Sequence, residues 1–116
     1  MIHHVALETR FEDAQACVAF YALLGFARVE PPETLRDRAV WLALGAQQLH
    51  LLLTDEPDVP PQGHVAVVLG DYEAAIARLV VAGYDLEPRQ EHWGSPRGFV
   101  RDPADHVVEI MKFPPP

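Results

Sequence analysis

One cysteine in 116 residues, Cys17, leaves no partner for an internal disulfide. A chain of this kind is expected in a reducing compartment, here the cytoplasm. Positive charge is also scarce: Lys and Arg number 9 against 17 Asp and Glu, for a net charge of −8. With no basic patch, nucleic acid and anionic membrane surfaces are excluded as partners. No apolar run approaches the ~18 residues of a membrane span. The opening stretch, MIHHVALETR, lacks the basic segment and long apolar core of a signal peptide. Proline, by contrast, is plentiful at 11 residues. The length suits one domain, or two small modules sharing a core, that folds without a staple.

The chain repeats itself. His4-Val5-Ala6-Leu7 is echoed by His64-Val65-Ala66-Val67. Asp13 to Phe26 and Asp71 to Tyr84 both place apolar residues at helical spacing and end in Gly25-Phe26 and Gly83-Tyr84. Asp13 and Asp71 are candidate N-caps, and the two glycines suit the left-handed position that closes a helix. Cys17 falls on the apolar stripe of the first helix and reads as core. Three strand candidates follow each helix: Ala27–Glu30, Ala39–Leu44 and Gln48–Leu53, then Leu86–Gln90, Gly98–Arg101 and Val107–Lys112. The predicted unit is strand, helix, strand, strand, strand, made twice. The stretch TDEPDVPPQG between the halves is too rich in Pro and charge to be either element. Neither half has enough surface to bury both faces of its sheet, so the two sheets are expected to assemble together.

The repeat brings four ionisable residues into register. His4 and His50 stand on the first and last strands of one half, His64 and Glu109 on those of the other. Under an approximate two-fold all four could face one place. Three imidazoles and a carboxylate would bind a divalent metal, with donors suited to Fe, Mn, Co, Ni or Zn. Ala6 and Ala66 leave room beside the two first-strand histidines, and Leu52 and Met111 would wall that room. A lone His in an apolar strand is more often a hydrogen-bonded structural residue. Glu109 differs, because a carboxylate between Val108 and Ile110 is costly to bury without a cation. His3 should point away from His4, toward the surface or a supporting contact.

These pieces together resemble the vicinal oxygen chelate superfamily, which includes glyoxalases, bleomycin-resistance proteins and ring-cleaving dioxygenases. The resemblance rests on His-Val-Ala-Leu in the first strand, Phe20-Tyr21-Ala22-Leu23-Leu24-Gly25-Phe26, Gly63-His64-Val65-Ala66-Val67, and Arg101-Asp102-Pro103 leading to Val108-Glu109-Ile110. It implies an α+β fold of two βαβββ modules whose curved mixed sheets form a cleft. The whole chain, 1–116, would be one glyoxalase-like domain of module 1 (1–54), a Pro-rich linker (55–62) and module 2 (63–113). Carried over by position, the metal ligands are His4, His50, His64 and Glu109. Glyoxalase I has a glutamate where His50 stands, and methylmalonyl-CoA epimerases have a glutamine. Fosfomycin-modifying enzymes and many dioxygenases use two His and one carboxylate, here His4, His64 and Glu109. His50 is then either a fourth ligand or a base beside a metal-bound water.

The segment EHWGSPRG, Glu91–Gly98, reads as a loop that borders the cleft in such proteins. His92, Trp93, Ser95 and Arg97 are candidate substrate contacts there, with Arg97 able to clamp a carboxylate or phosphate bidentately. A solvated loop is the competing reading. Trp41 lies on an internal strand as a packing or ligand-stacking residue, and His106 belongs to a turn. Fosfomycin thiol transferases carry Thr two residues past the first His, where this chain has Ala6, and no basic segment follows the last strand. The expectation is a small metalloenzyme of isomerase, lyase or dioxygenase type, with Glu109 and His50 as proton carriers and a small oxygen-chelating metabolite as substrate. The alternatives are a metal-independent binder of a small molecule or antibiotic, and an accessory domain. A homodimer is expected, with modules exchanged between chains as one arrangement.

Overall fold

The computed structural model describes residues 1–116. The chain falls into two units, Met1–Val59 and Pro60–Pro116, and the division lies inside the Pro-rich stretch. In the first unit, β1 (His4–Thr9), α1 (Ala14–Leu23), β2 (Ala27–Val29), β3 (Ala39–Leu44) and β4 (Gln47–Leu53) form a sheet of order β1-β4-β3-β2. In the second, β5 (Val65–Val68), α2 (Tyr72–Val81), β6 (Glu87–Pro88), β7 (Arg97–Arg101) and β8 (Val107–Met111) repeat it as β5-β8-β7-β6. Each sheet is mixed: the first and last strands of a unit pair in parallel, and the other pairs are antiparallel. The α+β class and the repeated βαβββ unit are as the sequence implies, and both sheets are open.

Alternation along the strands decides which side chains share a face. In the first unit Leu49 and Leu51 of β4 and Val40 and Leu42 of β3 are buried on one face, together with Cys17, Phe20 and Tyr21 of α1. In the second, Val108, Ile110 and Val100 take that role, and α2 buries Tyr72, Ala75 and Leu79. The opposite faces carry the ionisable residues. The registers correspond: Ala6 stands opposite His50, and Ala66 stands opposite Glu109.

Several local expectations need correction. Gly25 and Gly83 do adopt positive φ, +103° and +92°, at the ends of α1 and α2. Asp13 and Asp71, however, make no side-chain capping bond. A short 3-10 turn, Phe11–Asp13, runs into α1, so Asp13 is already helical. The Asp71 carboxylate accepts from Arg78 Nη2 at 2.9 Å instead, a contact that holds it below the usual carboxylate range. The exposed side of α1 is Ala16, Ala19 and Ala22 with Gln15, so its amphipathicity is weak. Strand β6 shrinks to two residues, since Pro88 has no N–H to extend the ladder. Strand β7 starts one residue early and takes in Arg97, which leaves the loop and pairs with Met111. His106 is a turn residue as expected: its backbone N–H donates to Asp102 Oδ1 at 3.0 Å, and Asp105 takes the left-handed position, φ +72°.

Candidate functional site

In the first unit the ring of His50 is the middle of a stack. Trp41, opposite it on β3, lies parallel at 4.1 Å and 4°. His4 covers the other face at 3.9 Å and 18°. His50 Nε2 meets Gln48 Oε1 at 2.8 Å. An amide oxygen only accepts, so Nε2 carries the proton and Nδ1 of a neutral ring is the free acceptor. His50 is only 6% exposed. Desolvation by burial, then the nearby His4 and His3, lower the His50 pKa below its usual value. His3 does not point away. It precedes the strand, and its Nδ1 contacts His4 Nδ1 at 3.0 Å. A cavity of about 580 Å³ opens here, lined by His4, Trp41, His50, Leu52, Leu35 and Arg38 among others.

In the second unit, three strands deliver three charged or ionisable groups. His64 lies one residue before β5, Glu109 is central on β8, and Arg97 opens β7 on the same face as Glu109. His64 Nε2 sits 3.0 Å from Glu109 Oε1, and Arg97 Nε sits 3.3 Å from Glu109 Oε2. Glu109 and Arg97 side chains are 9% and 11% exposed. The Arg97 contact has the distance of an ion pair but not the direction of a hydrogen bond, because Nε and Nη1 remain buried with no partner. His64 Nδ1 donates to the carbonyl of Gln62 at 2.8 Å, and a carbonyl can only accept. Nε2 is thus the nitrogen that meets the carboxylate, at hydrogen-bond distance, and the same two atoms are the pair available to a metal ion.

The donor set can be tested against a divalent ion. Neighbouring ligands of an octahedral ion with bonds of about 2.1 Å stand about 3.0 Å apart, so the His64–Glu109 separation suits such an ion as well as it suits their hydrogen bond. The Gln62 carbonyl orients the His64 ring in the way outer hydrogen bonds orient metal-binding histidines. His4 and His50 do not fit as a pair. Nearly parallel rings aim their lone pairs along planes that converge far beyond the ~2.1 Å reach of a metal–nitrogen bond. No three His, Cys, Asp or Glu side chains gather at one point in a way that could hold a metal ion.

Of the other sequence candidates, Trp41 lines the first-unit cavity rather than the core. Trp93 anchors its Nε1–H to the Phe113 carbonyl at 2.9 Å and lies 5.4 Å from the Arg97 guanidinium. Ser95 is fully buried: its hydroxyl donates to Pro96 O and accepts from Phe113 N, which leaves it no face for a ligand. His92 is exposed. Gln48 was missed, although its place two residues before His50 puts both on one face. The Gln62 carbonyl has no side-chain signal that a sequence could carry. A second cavity, about 650 Å³, lies along residues 83–88 and shares only Phe99 with the His64–Glu109 surroundings.

A chain with two βαβββ units and an acid–histidine pair across the first and last strands of one of them has the build of the glyoxalase class. The family model for the glyoxalase-like domain matches residues 4–111, so the chain belongs to that family and to the vicinal oxygen chelate superfamily. Among solved structures, a glyoxalase family protein from Bacillus anthracis is 22% identical, with TM-score 0.88 over 98% of this chain and 95% of that one. A glyoxalase family protein from Enterococcus faecalis is 30% identical, with TM-score 0.72 over 97% of both chains. Lactoylglutathione lyase from Agrobacterium tumefaciens is 23% identical, with TM-score 0.74 over 97% and 92%. No curated protein matches the chain by sequence.

Proposed function

We propose that the protein is a small divalent-metal-dependent enzyme acting on a small oxygen-chelating metabolite, by isomerase, lyase or dioxygenase chemistry. One observation carries this reading: His64 Nε2 and Glu109 Oε1 meet at 3.0 Å, which brings a nitrogen and an oxygen donor suited to a divalent ion together. His64, Glu109 and His4 would hold the ion, which would supply Lewis-acid polarisation of substrate oxygens and stabilisation of negative charge on them. His50 stays neutral near pH 7 because its pKa is lowered, so its free Nδ1 serves as a proton acceptor. Trp41 and Leu52 offer apolar surface to the substrate. Trp93 braces Arg97. The test is metal content after purification without a His tag, in the wild type and in His4→Ala, His64→Ala and Glu109→Ala. Each loss should weaken binding severely, and full occupancy in all three variants refutes the proposal. A His50→Ala protein that keeps metal but loses activity assigns His50 to proton transfer.

A second reading has its own support. The Arg97 guanidinium already supplies a positive charge to Glu109, as a metal-independent small-molecule or antibiotic binder would require. In that case the wild type takes up no metal, and His4→Ala and His64→Ala bind ligand as it does.

A further inference from the structure

Arg97 is an unusual side chain for the interior of a small acidic protein. Its Nε and Nη1 are shut off from solvent and donate to nothing. A guanidinium holds five N–H groups in a rigid planar fork, and buried donors are rarely left unfilled. Glu109 balances the charge but not the donors. Its Oε2 lies off the N–H direction at 3.3 Å, and its Oε1 is engaged by His64. The rings of Trp93 and Phe99 flank the guanidinium at 5.4 and 5.7 Å.

A divalent ion on Glu109 would upset this balance. One carboxylate would then serve two cations, held close together where solvent screening is weak. An anion that reaches Arg97 removes the conflict. We infer that Arg97 is an oxyanion-binding residue, recruited when a metal takes Glu109, and that the natural ligand carries a carboxylate, phosphate or phosphonate near its metal-chelating oxygens. The planar fork matches such groups bidentately. The inference rests on the metal reading above. It makes metal and oxyanion binding mutually reinforcing, each raising the affinity for the other by the same factor.

The test is calorimetric titration of the metal-free full chain with Mn²⁺, with and without methylphosphonate, subtracting the binding of Mn²⁺ to methylphosphonate alone. In the wild type the anion should tighten Mn²⁺ binding by about tenfold. Arg97→Met should bind Mn²⁺ at least as tightly as the wild type without anion, and should not respond to it. Arg97→Gln, of similar length, replaces it if the Met variant fails to fold. An equal response in the variant, or none in a wild type that does bind Mn²⁺, overturns this inference and leaves the metal reading standing. A wild type that binds no Mn²⁺ under either condition overturns both.

Discussion

At the scale of single residues, the two imidazoles on the last-strand and first-strand positions behave differently because of what each ring nitrogen touches. His50 is desolvated between Trp41 and His4, and its pKa is lowered from 6.5 by burial first and by His4 and His3 next. A folded-state pKa below the unfolded value means that the unfolded chain takes up the proton more readily. Its contribution to stability is therefore present above about pH 6.5 and is lost as pH falls through the folded value. Urea unfolding of metal-free protein should show stability falling between pH 7 and pH 5, and His50→Gln should flatten part of that fall. Identical slopes in the two proteins would remove the desolvation argument. His64 sets a different expectation. If a proton bridges its Nε2 and Glu109 in metal-free protein, binding a metal must expel it. The apparent heat of Mn²⁺ binding should then differ between two buffers of unlike protonation enthalpy. Equal heats, after correction for Mn²⁺–buffer binding, would mean that no proton leaves when the metal binds.

At the scale of elements, β6 and β7 show how far alternation carries a reading and where it stops. Gly98 lies on the inner face of β7, where an added Cβ would stand 2.7 Å from Leu86 Cγ and 3.0 Å from the Glu87 carbonyl oxygen. The leucine can shift, but the carbonyl belongs to the paired strand. Gly98→Ala should destabilise the protein by about 1–3 kcal/mol, read as a lower urea midpoint with an unchanged slope. A neutral effect would mean that β6 is held too loosely to matter. Leu79→Ala, in the fully buried stripe of α2, should cost about 2–5 kcal/mol. The long periodic segments were legible: β3 spans the predicted Ala39–Leu44, and both helices sit between their expected limits. The termini were not, because they depend on competition between partners. Asp71 had Arg78 seven residues on as a stronger claim on its carboxylate than the helix N–H groups. Arg97 read as loop because it follows Gly94-Ser95-Pro96, yet the ladder with Met111 extends to it. That one-residue difference places its guanidinium beside Glu109, which is how the candidate site gained its only arginine.

At the scale of the whole molecule, the repeat explains which part of the site the sequence could reveal. Equivalent register positions, Ala6 with His50 and Ala66 with Glu109, follow from pairing the first and last strands of each unit. The pairs His4–His50 and His64–Glu109 were therefore legible, whereas ring stacking and tautomers depend on side-chain conformation that spacing does not encode. Each unit offers at most two candidate donors, so the proposed ligand set of His4, His64 and Glu109 draws on both. Those donors belong to one chain or to two. We expect a homodimer, and an exchange of modules between its chains would have His4 supplied by the second copy. Co-expressing a His4→Ala chain with a Glu109→Ala chain puts both lesions into one site of each mixed dimer and leaves the other intact. With random pairing, about a quarter of the wild-type metal should return, measured on dimers purified away from free metal. If both units come from the same chain, every site keeps one lesion and no metal returns. A mass of one chain at micromolar concentration, by light scattering, would reject the dimer together with the shared site.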